Sequence, residues 1–146
     1  MNRKIVWSLF LGALALTLGL KAVQLGWLYP KPPLELNGQP TVLVFIRFDG
    51  ACECVRFVND NALAQVTNWP PASRGGIPLL IIDIERRSDL AKKFKVIRAS
   101  SMLLLDANGE IVWRQDEVIS DELPLNLPAV EAQTVVLLAA EEMRTL

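Results

Sequence analysis

The sequence predicts an α/β domain, with a mixed central sheet and helices on both faces, preceded by a helix that spans a membrane. Three features indicate this. The amino-terminal region is apolar and almost uncharged, strand-like apolar runs then alternate with helical segments, and two cysteines stand where the first such run ends. The chain has 146 residues, which suits a single domain with a short extension.

The apolar region near the amino end is long enough to cross a bilayer. Residues 5–20 carry no charge, Arg3 and Lys4 precede them, and the apolar character resumes as far as Leu28. A helix of this length spans about 30 Å of hydrocarbon. A basic start followed by an apolar stretch is also typical of a cleaved secretory signal, and a buried helix is a third possibility.

The details of this region favour a retained anchor over residues 1–30. The sequence around Lys21 lacks a small-x-small cleavage site. Lys21 can extend its ammonium group toward the interface, and Trp27 and Tyr29 suit the interfacial depth.

We expect a single-pass protein of the cell membrane whose carboxyl-terminal domain is extracytoplasmic. The basic residues before the span stay in the cytoplasm, so the remainder is exported. Residues 31–40 form a proline-rich spacer, and residues 41–146 form the domain. Disulfides persist in such a compartment.

Composition excludes several classes of function. The net charge of -1 provides no basic surface for nucleic acid. The chain has no histidine, which excludes a Ser-His-Asp triad, a Cys-His nucleophile and histidine-containing zinc sites.

The first half of the domain predicts a strand, a helix and a second strand. Residues 41–48 form a β-branched and aromatic run without alternation, as in a strand covered on both faces. Residues 54–68 have helical apolar spacing and end before Trp69-Pro70-Pro71. Residues 73–76 are a loop, and residues 77–84 form a second apolar strand.

The second half predicts a short helix, a hairpin and a final helix. Ser88 is a plausible N-cap for a helix over residues 89–95. Asn108-Gly109 separates apolar runs at 101–105 and 110–113, the pattern of a β-hairpin. Pro128 suits the first turn of a helix that runs to about Met143, and residues 135–138 are expected to be buried there.

This order describes a βαβ unit with a right-handed crossover, joined to a hairpin and closed by a helix. Residues 94–101 and 103–112 give the most specific resemblance to a known family. From Thr41 to the carboxyl end, the chain resembles the thioredoxin-like superfamily, in particular membrane-anchored thioredoxins of the cytochrome-maturation type. The resemblance implies that the cysteine pair exchanges disulfides with exported proteins and with a separate redox partner, without a cofactor.

Cys52 and Cys54 are the candidate catalytic residues. In the fold that the resemblance implies, they lie at the start of a helix, whose free N–H groups and dipole favour thiolate. Arg56 adds to this effect, whereas Glu53, between the two cysteines, opposes it. Either cysteine could be the attacking nucleophile.

The site departs from the family pattern. Glu53 is the only residue between the cysteines, where the family has two, so the disulfide should be strained and easily reduced. Ala51 replaces the usual tryptophan. The cis-proline that aligns the substrate is replaced by Ser100 or Ser101, depending on register, and without proline a trans bond is expected.

The alignment of the preceding strand leaves Arg47 with two possible positions. If Cys52 matches the first family cysteine, Arg47 lies at an inward, usually apolar position. If Cys54 matches the second, Ile46 is inward and Arg47 points toward the site, which we prefer because burying a guanidinium is costly.

Two other interpretations of the cysteine pair remain open. A non-catalytic assembly module could bind Cu(I) through Cys52, Cys54 and Met102, because soft sulfur ligands suit that ion. The pair could also be inert, although a bridge across one residue closes almost no loop and would stabilise little. Trp69 and Trp113 are expected to pack in or near the core.

Overall fold

The computed structural model describes residues 3–24, 31–49 and 52–145. The chain forms two compact units, residues 1–33 and residues 34–146. In the first unit, helix α1 covers Arg3–Gln24. Its segment Val6–Val23 has a mean hydropathy of 1.8 and is not buried, so α1 is long and apolar enough to span a membrane. The predicted interfacial residues Trp27 and Tyr29 lie outside the described residues.

The second unit contains a four-stranded sheet and three α-helices. In chain order these are β1 (Thr41–Ile46), α2 (Glu53–Thr67), β2 (Leu79–Asp83), α3 (Ser88–Lys93), β3 (Ser101–Leu105), β4 (Ile111–Gln115) and α4 (Leu127–Thr145). A 3₁₀ helix over Pro71–Arg74 occupies part of the predicted loop after α2. Leu34 and Leu36 pack against the core, so the compact unit starts before the predicted domain boundary.

The sheet order is β2-β1-β3-β4. β1 pairs in parallel with β2 and antiparallel with β3, and β3 pairs antiparallel with β4. The parallel pair of β1 and β2 needs a crossover, which α2 supplies. The antiparallel pair of β3 and β4 is the predicted hairpin. This arrangement is the thioredoxin-like fold that the sequence resemblance implies.

β1 is covered on both faces, as its continuous apolar sequence predicts. Alternate residues enter two different core clusters. Val42, Val44 and Ile46 pack with Ala62 and Val66 of α2 and Val130 of α4. Leu43 and Phe45 pack on the opposite face with residues around α3, and the rings of Phe45 and Phe94 meet edge to face at 6.5 Å. The helices therefore lie on both sides of the sheet.

Two details of the helices differ from the prediction. Arg87, not Ser88, occupies the cap position of α3, because Ser88 already has helical geometry. In α4, Val135 and Val136 are exposed, at 68% and 63%. The helical repeat explains this, since Val130 and Thr134 already define the buried face and only Leu137 and Leu138 of the predicted run return toward it.

The hairpin turn between β3 and β4 is built around Asp106. Its carboxylate accepts the backbone N–H groups of Asn108 at 2.9 Å and Glu110 at 2.8 Å, and Gly109 supplies a φ of +83°. Partial burial works against the charged form of Asp106. The hydrogen bonds outweigh it, so the pKa of Asp106 lies below its usual value.

The Asp106 turn predicts a stability effect that depends on pH. Asp106→Ala should lower the free energy of unfolding by about 1 to 2 kcal/mol at neutral pH, because two turn N–H groups lose their acceptor. The folded chain lowers this pKa, so the stabilisation is present above the unfolded value of about 3.9 and is lost as pH falls through the folded value. Urea unfolding of the full chain in detergent, followed by circular dichroism, measures both effects.

The matched control is Asp60→Ala, which removes an exposed carboxylate of α2 and should change stability by less than about 0.5 kcal/mol. Equal stability of the wild type and Asp106→Ala at neutral pH would contradict this role of the turn.

Candidate active site

The two cysteines lie at the amino end of α2, and Cys52 is six residues after the end of β1 at Ile46. Cys52 occupies the N-cap with extended geometry, φ −63° and ψ 163°, and Cys54 is the second residue of the helix. Both thiols are free and exposed, and their sulfur atoms are 2.8 Å apart. A disulfide bond is about 2.05 Å long, so the pair could close with a small movement.

The contact between the two sulfur atoms shifts the pKa values of the thiols in opposite directions. The hydrogen bond with Cys54 lowers the pKa of Cys52, and the nearby backbone N–H of Val55 lowers it further. The Cys52 side chain does not make a capping hydrogen bond to the helix. The pKa of Cys54 is raised, first by its hydrogen bond to Cys52 and then by the negative charge on that sulfur. These two directions favour the thiolate at Cys52 and the thiol at Cys54.

A cavity of about 450 Å³ adjoins Cys54. Its walls come from the residue after β1, the first turns of α2, the segment before β3 and the segment after β4. Among its lining residues are Arg47, Asn59, Arg98, Ser100 and Asp121. Cys52 is not part of the wall, so the cavity lies on the Cys54 side of the pair.

Polar residues of α2 hold the far wall of this cavity in place. The side chain of Gln65 donates to the carbonyl of Leu125 at 3.0 Å and accepts the N–H of Leu125 at 2.9 Å. Asn61 donates to the carbonyl of Asp121 at 2.8 Å. These bonds tie the segment between β4 and α4 to α2.

Arg47 lies on the cavity wall, whereas Ile46 is buried in the core, with 1% exposed. This is the arrangement that the preferred register predicts. The Nε atom of Arg47 is 3.1 Å from the Glu85 carboxylate, although the pair lacks the alignment of a hydrogen bond. A second contact between neighbouring segments joins Arg86 to Asp49, also at 3.1 Å.

Ser101 begins β3 and Ser100 immediately precedes it, where the resemblance implies a substrate contact. Both are buried, and both hydroxyls are used internally. Ser100 Oγ donates to Asn59 Oδ1 at 3.1 Å, and Ser101 Oγ donates to the carbonyl of Arg98 at 2.8 Å. The N–H of Ser100 donates to the carbonyl of Phe45 at 2.7 Å, and its φ is +60°. No peptide bond among the described residues is cis.

The two residues expected to tune the thiols are on the surface. Glu53 begins α2, and its carboxylate is exposed. Arg56 is also exposed, and its backbone N–H donates to the carbonyl of Cys52 at 2.9 Å, the first hydrogen bond of the helix. Ala51 lies outside the described residues.

Met102 is not close to the surface where the thiols lie. It is fully buried in β3 as part of the first core cluster, beside Val44 in the sheet. Among the described residues, no group of three or more histidine, cysteine or acidic side chains could hold a metal ion. Of the three sulfur ligands expected for Cu(I), the structure therefore leaves only the two thiols exposed.

Asn59 is the site residue that the sequence analysis missed. It is 3% exposed, and its Nδ2 atom has no hydrogen-bond partner. Asn59 shares the inner face of α2 with Ala62 and Val66, so a polar residue in an apolar helical pattern was the available signal. Val118 and Asp121 had no comparable signal, because tertiary contacts bring their segment to the site.

Comparisons with known proteins find similar solved structures but no matching family. No family model matches the chain, and no curated protein matches it. Solved structures similar to it include Trxlp from Edwardsiella tarda (14% identity, 68% of this chain and 84% of that chain, TM-score 0.44) and Fasciola hepatica thioredoxin (14%, 68% and 82%, 0.45). A malarial protein matches at 22% identity over 66% of this chain and 98% of its own, with a TM-score of 0.44. At these identities the similarity says nothing about activity, and the assignment of the thioredoxin-like fold depends on the strand order described above.

The opposite pKa shifts of the two thiols predict unequal alkylation. At neutral pH, iodoacetamide should modify Cys52 faster than Cys54, because only thiolate reacts and the pKa of Cys52 is the lowered one. Cys54→Ala should raise the pKa of Cys52 by removing the hydrogen-bond donor, and Cys54→Ser should raise it less because a hydroxyl can still donate. Thiolate absorbance against pH measures the pKa, and mass spectrometry locates the alkylated residue. Faster modification of Cys54 would contradict this assignment.

Proposed function

We propose that this protein is a membrane-tethered thiol-disulfide exchange protein that acts on exported proteins through Cys52 and Cys54. The observation that carries the proposal is the exposed thiol pair, with sulfur atoms 2.8 Å apart and pKa values shifted in opposite directions. An attacking thiolate beside a protonated resolving thiol is the arrangement that exchange requires.

In the proposed reaction, the Cys52 thiolate attacks one sulfur of a client disulfide. The client's other sulfur leaves as a thiolate and takes up a proton, and a mixed disulfide joins Cys52 to the client. Cys54 then loses its proton and attacks Cys52 Sγ, which releases the second client thiol. The client disulfide gains two electrons, and the Cys52-Cys54 pair loses them. A separate redox partner restores the pair, and the same steps run in reverse to oxidise a client dithiol.

Membrane attachment is part of the proposal. Helix α1 has the length and apolar composition of a span, and the basic residues Arg3 and Lys4 precede its apolar segment. Positive charges favour the cytoplasmic side, which would leave the domain outside the cytoplasm, where disulfides persist. A role in cytochrome maturation is a further hypothesis, which comes from the sequence resemblance.

A second candidate is a non-catalytic binding module with the same fold, able to take up Cu(I). The specific observation in its favour is that the hydroxyls of Ser100 and Ser101 are both used inside the protein. Neither hydroxyl is then available to align a client.

An exchange assay on the full chain in detergent tests the choice. Cys52→Ser should abolish exchange, because it removes the attacking sulfur. Cys54→Ser should accumulate a mixed disulfide with a client peptide, since nothing resolves it. Non-reducing electrophoresis detects the trapped species. Equal exchange by the wild type and both serine variants would refute the enzyme, and one equivalent of Cu(I), lost in those variants, would support the binding module.

The short bridge predicts an oxidising couple. With one residue between the cysteines, the disulfide closes a small strained ring, so its reduction potential should lie above the value of about −270 mV for thioredoxin. Equilibration with glutathione buffers, read by thiol alkylation and mass spectrometry, measures it. A potential at or below the thioredoxin value would contradict the predicted strain.

A further inference from the structure

We propose that the cavity beside Cys54 receives an extended client segment that carries an apolar side chain and a carboxylate next to its reactive cysteine. The inference depends on the proposed exchange function and adds the class of client to it.

The cavity has an apolar wall that is open to the outside. Its apolar lining includes Val55, Val58, Ile97 and Val118. Ile97 is 89% exposed, an unusual exposure for a side chain of this size, and Val118 is 42% exposed. Because Cys54 lines the same cavity, an apolar side chain bound here would belong to the segment that undergoes exchange.

The same cavity contains nitrogen donors with unused capacity. Arg98 is exposed and makes no ion pair with any described residue, and Arg47 contacts Glu85 only without hydrogen-bond alignment. Asn59 is nine-tenths buried in the wall, and its Nδ2 atom has no partner in the described structure. The Asn59 Nδ2 atom lies beneath the surface of the wall, so the donors that a client acceptor can reach are those of the guanidinium groups, above all the exposed Arg98.

The charges at the cavity favour an anion over a cation. Two guanidinium groups, those of Arg47 and Arg98, line it against one carboxylate, that of Asp121, and the Glu85 carboxylate that contacts Arg47 is not among the lining residues. A client carboxylate can accept bonds from either guanidinium, whereas a client ammonium group would meet two like charges. A client segment with an apolar side chain and a carboxylate could therefore pack on the apolar part of the wall and bind its guanidinium groups.

The experiment compares two disulfide-linked peptides that differ in one residue. In both peptides, leucine precedes the cysteine. The residue that follows the cysteine is aspartate in the first peptide and asparagine in the second. The reduced full chain in detergent should react with the aspartate peptide roughly fivefold faster. Each rate is divided by that of the same variant with hydroxyethyl disulfide, which corrects for changes in thiol reactivity.

Substitutions of the two arginines test whether they cause the preference for the aspartate peptide. Arg98→Gln and Arg47→Gln should each lower the ratio of the two rates toward one, and high salt should do the same in the wild type. Lys92→Gln is the matched control, because Lys92 is an exposed cation of α3, which packs on the other face of the sheet. It should leave the ratio unchanged.

The outcomes separate the two proposals. If neither peptide reacts, or if Cys52→Ser reacts as the wild type does, the exchange function itself fails. If exchange depends on Cys52 but the two peptides react equally, or if the ratio survives both arginine substitutions, the acidic-client inference is overturned and the exchange function stands.

Discussion

The burial of β1 on both faces is the constraint on which the rest of this structure depends. All six residues of Thr41–Ile46 are buried, and the strand is hydrogen-bonded to β2 on one side and β3 on the other. A strand with no exposed face needs helices above and below it, which fixes α2 and α4 on one side and α3 on the other. Because β1 is buried and hydrogen-bonded on both sides, its end at Ile46 is fixed, and the cysteine pair follows within eight residues at the start of α2.

The chemistry of the site arises from the place of the thiols on that helix. Cys52 lies at the cap, where the N–H groups of the first turn have no helical partner, and Cys54 lies within the turn. The two sulfur atoms share one hydrogen bond, which lowers the pKa of one thiol and raises that of the other. In the proposed exchange, this difference in acidity would distinguish an attacking sulfur from a resolving one, although the residues are chemically identical.

The segment before β3 has an unusual backbone conformation at Ser100. Ser100 adopts a φ of +60° and is held by the carbonyl of Phe45 through its N–H and by Asn59 through its hydroxyl. Such a backbone conformation is unfavourable for a residue with a side chain, and two hydrogen bonds in a buried setting offset it. Asn59 thereby connects α2 to a segment that lines the same cavity as Cys54.

The sequence by itself determined the order of the elements, the buried central strand, the Asn-Gly hairpin and the position of Cys52 and Cys54 between strand and helix. These follow from local patterns: apolar periodicity, turn residues and helix stops act within a few residues. The tertiary structure decided which side of α4 is buried, so Val135 and Val136 are exposed, and it buried Met102 away from the thiols. It alone brought Asn59, Arg98 and Asp121 to one cavity, because contacts between residues far apart in the chain leave no local pattern.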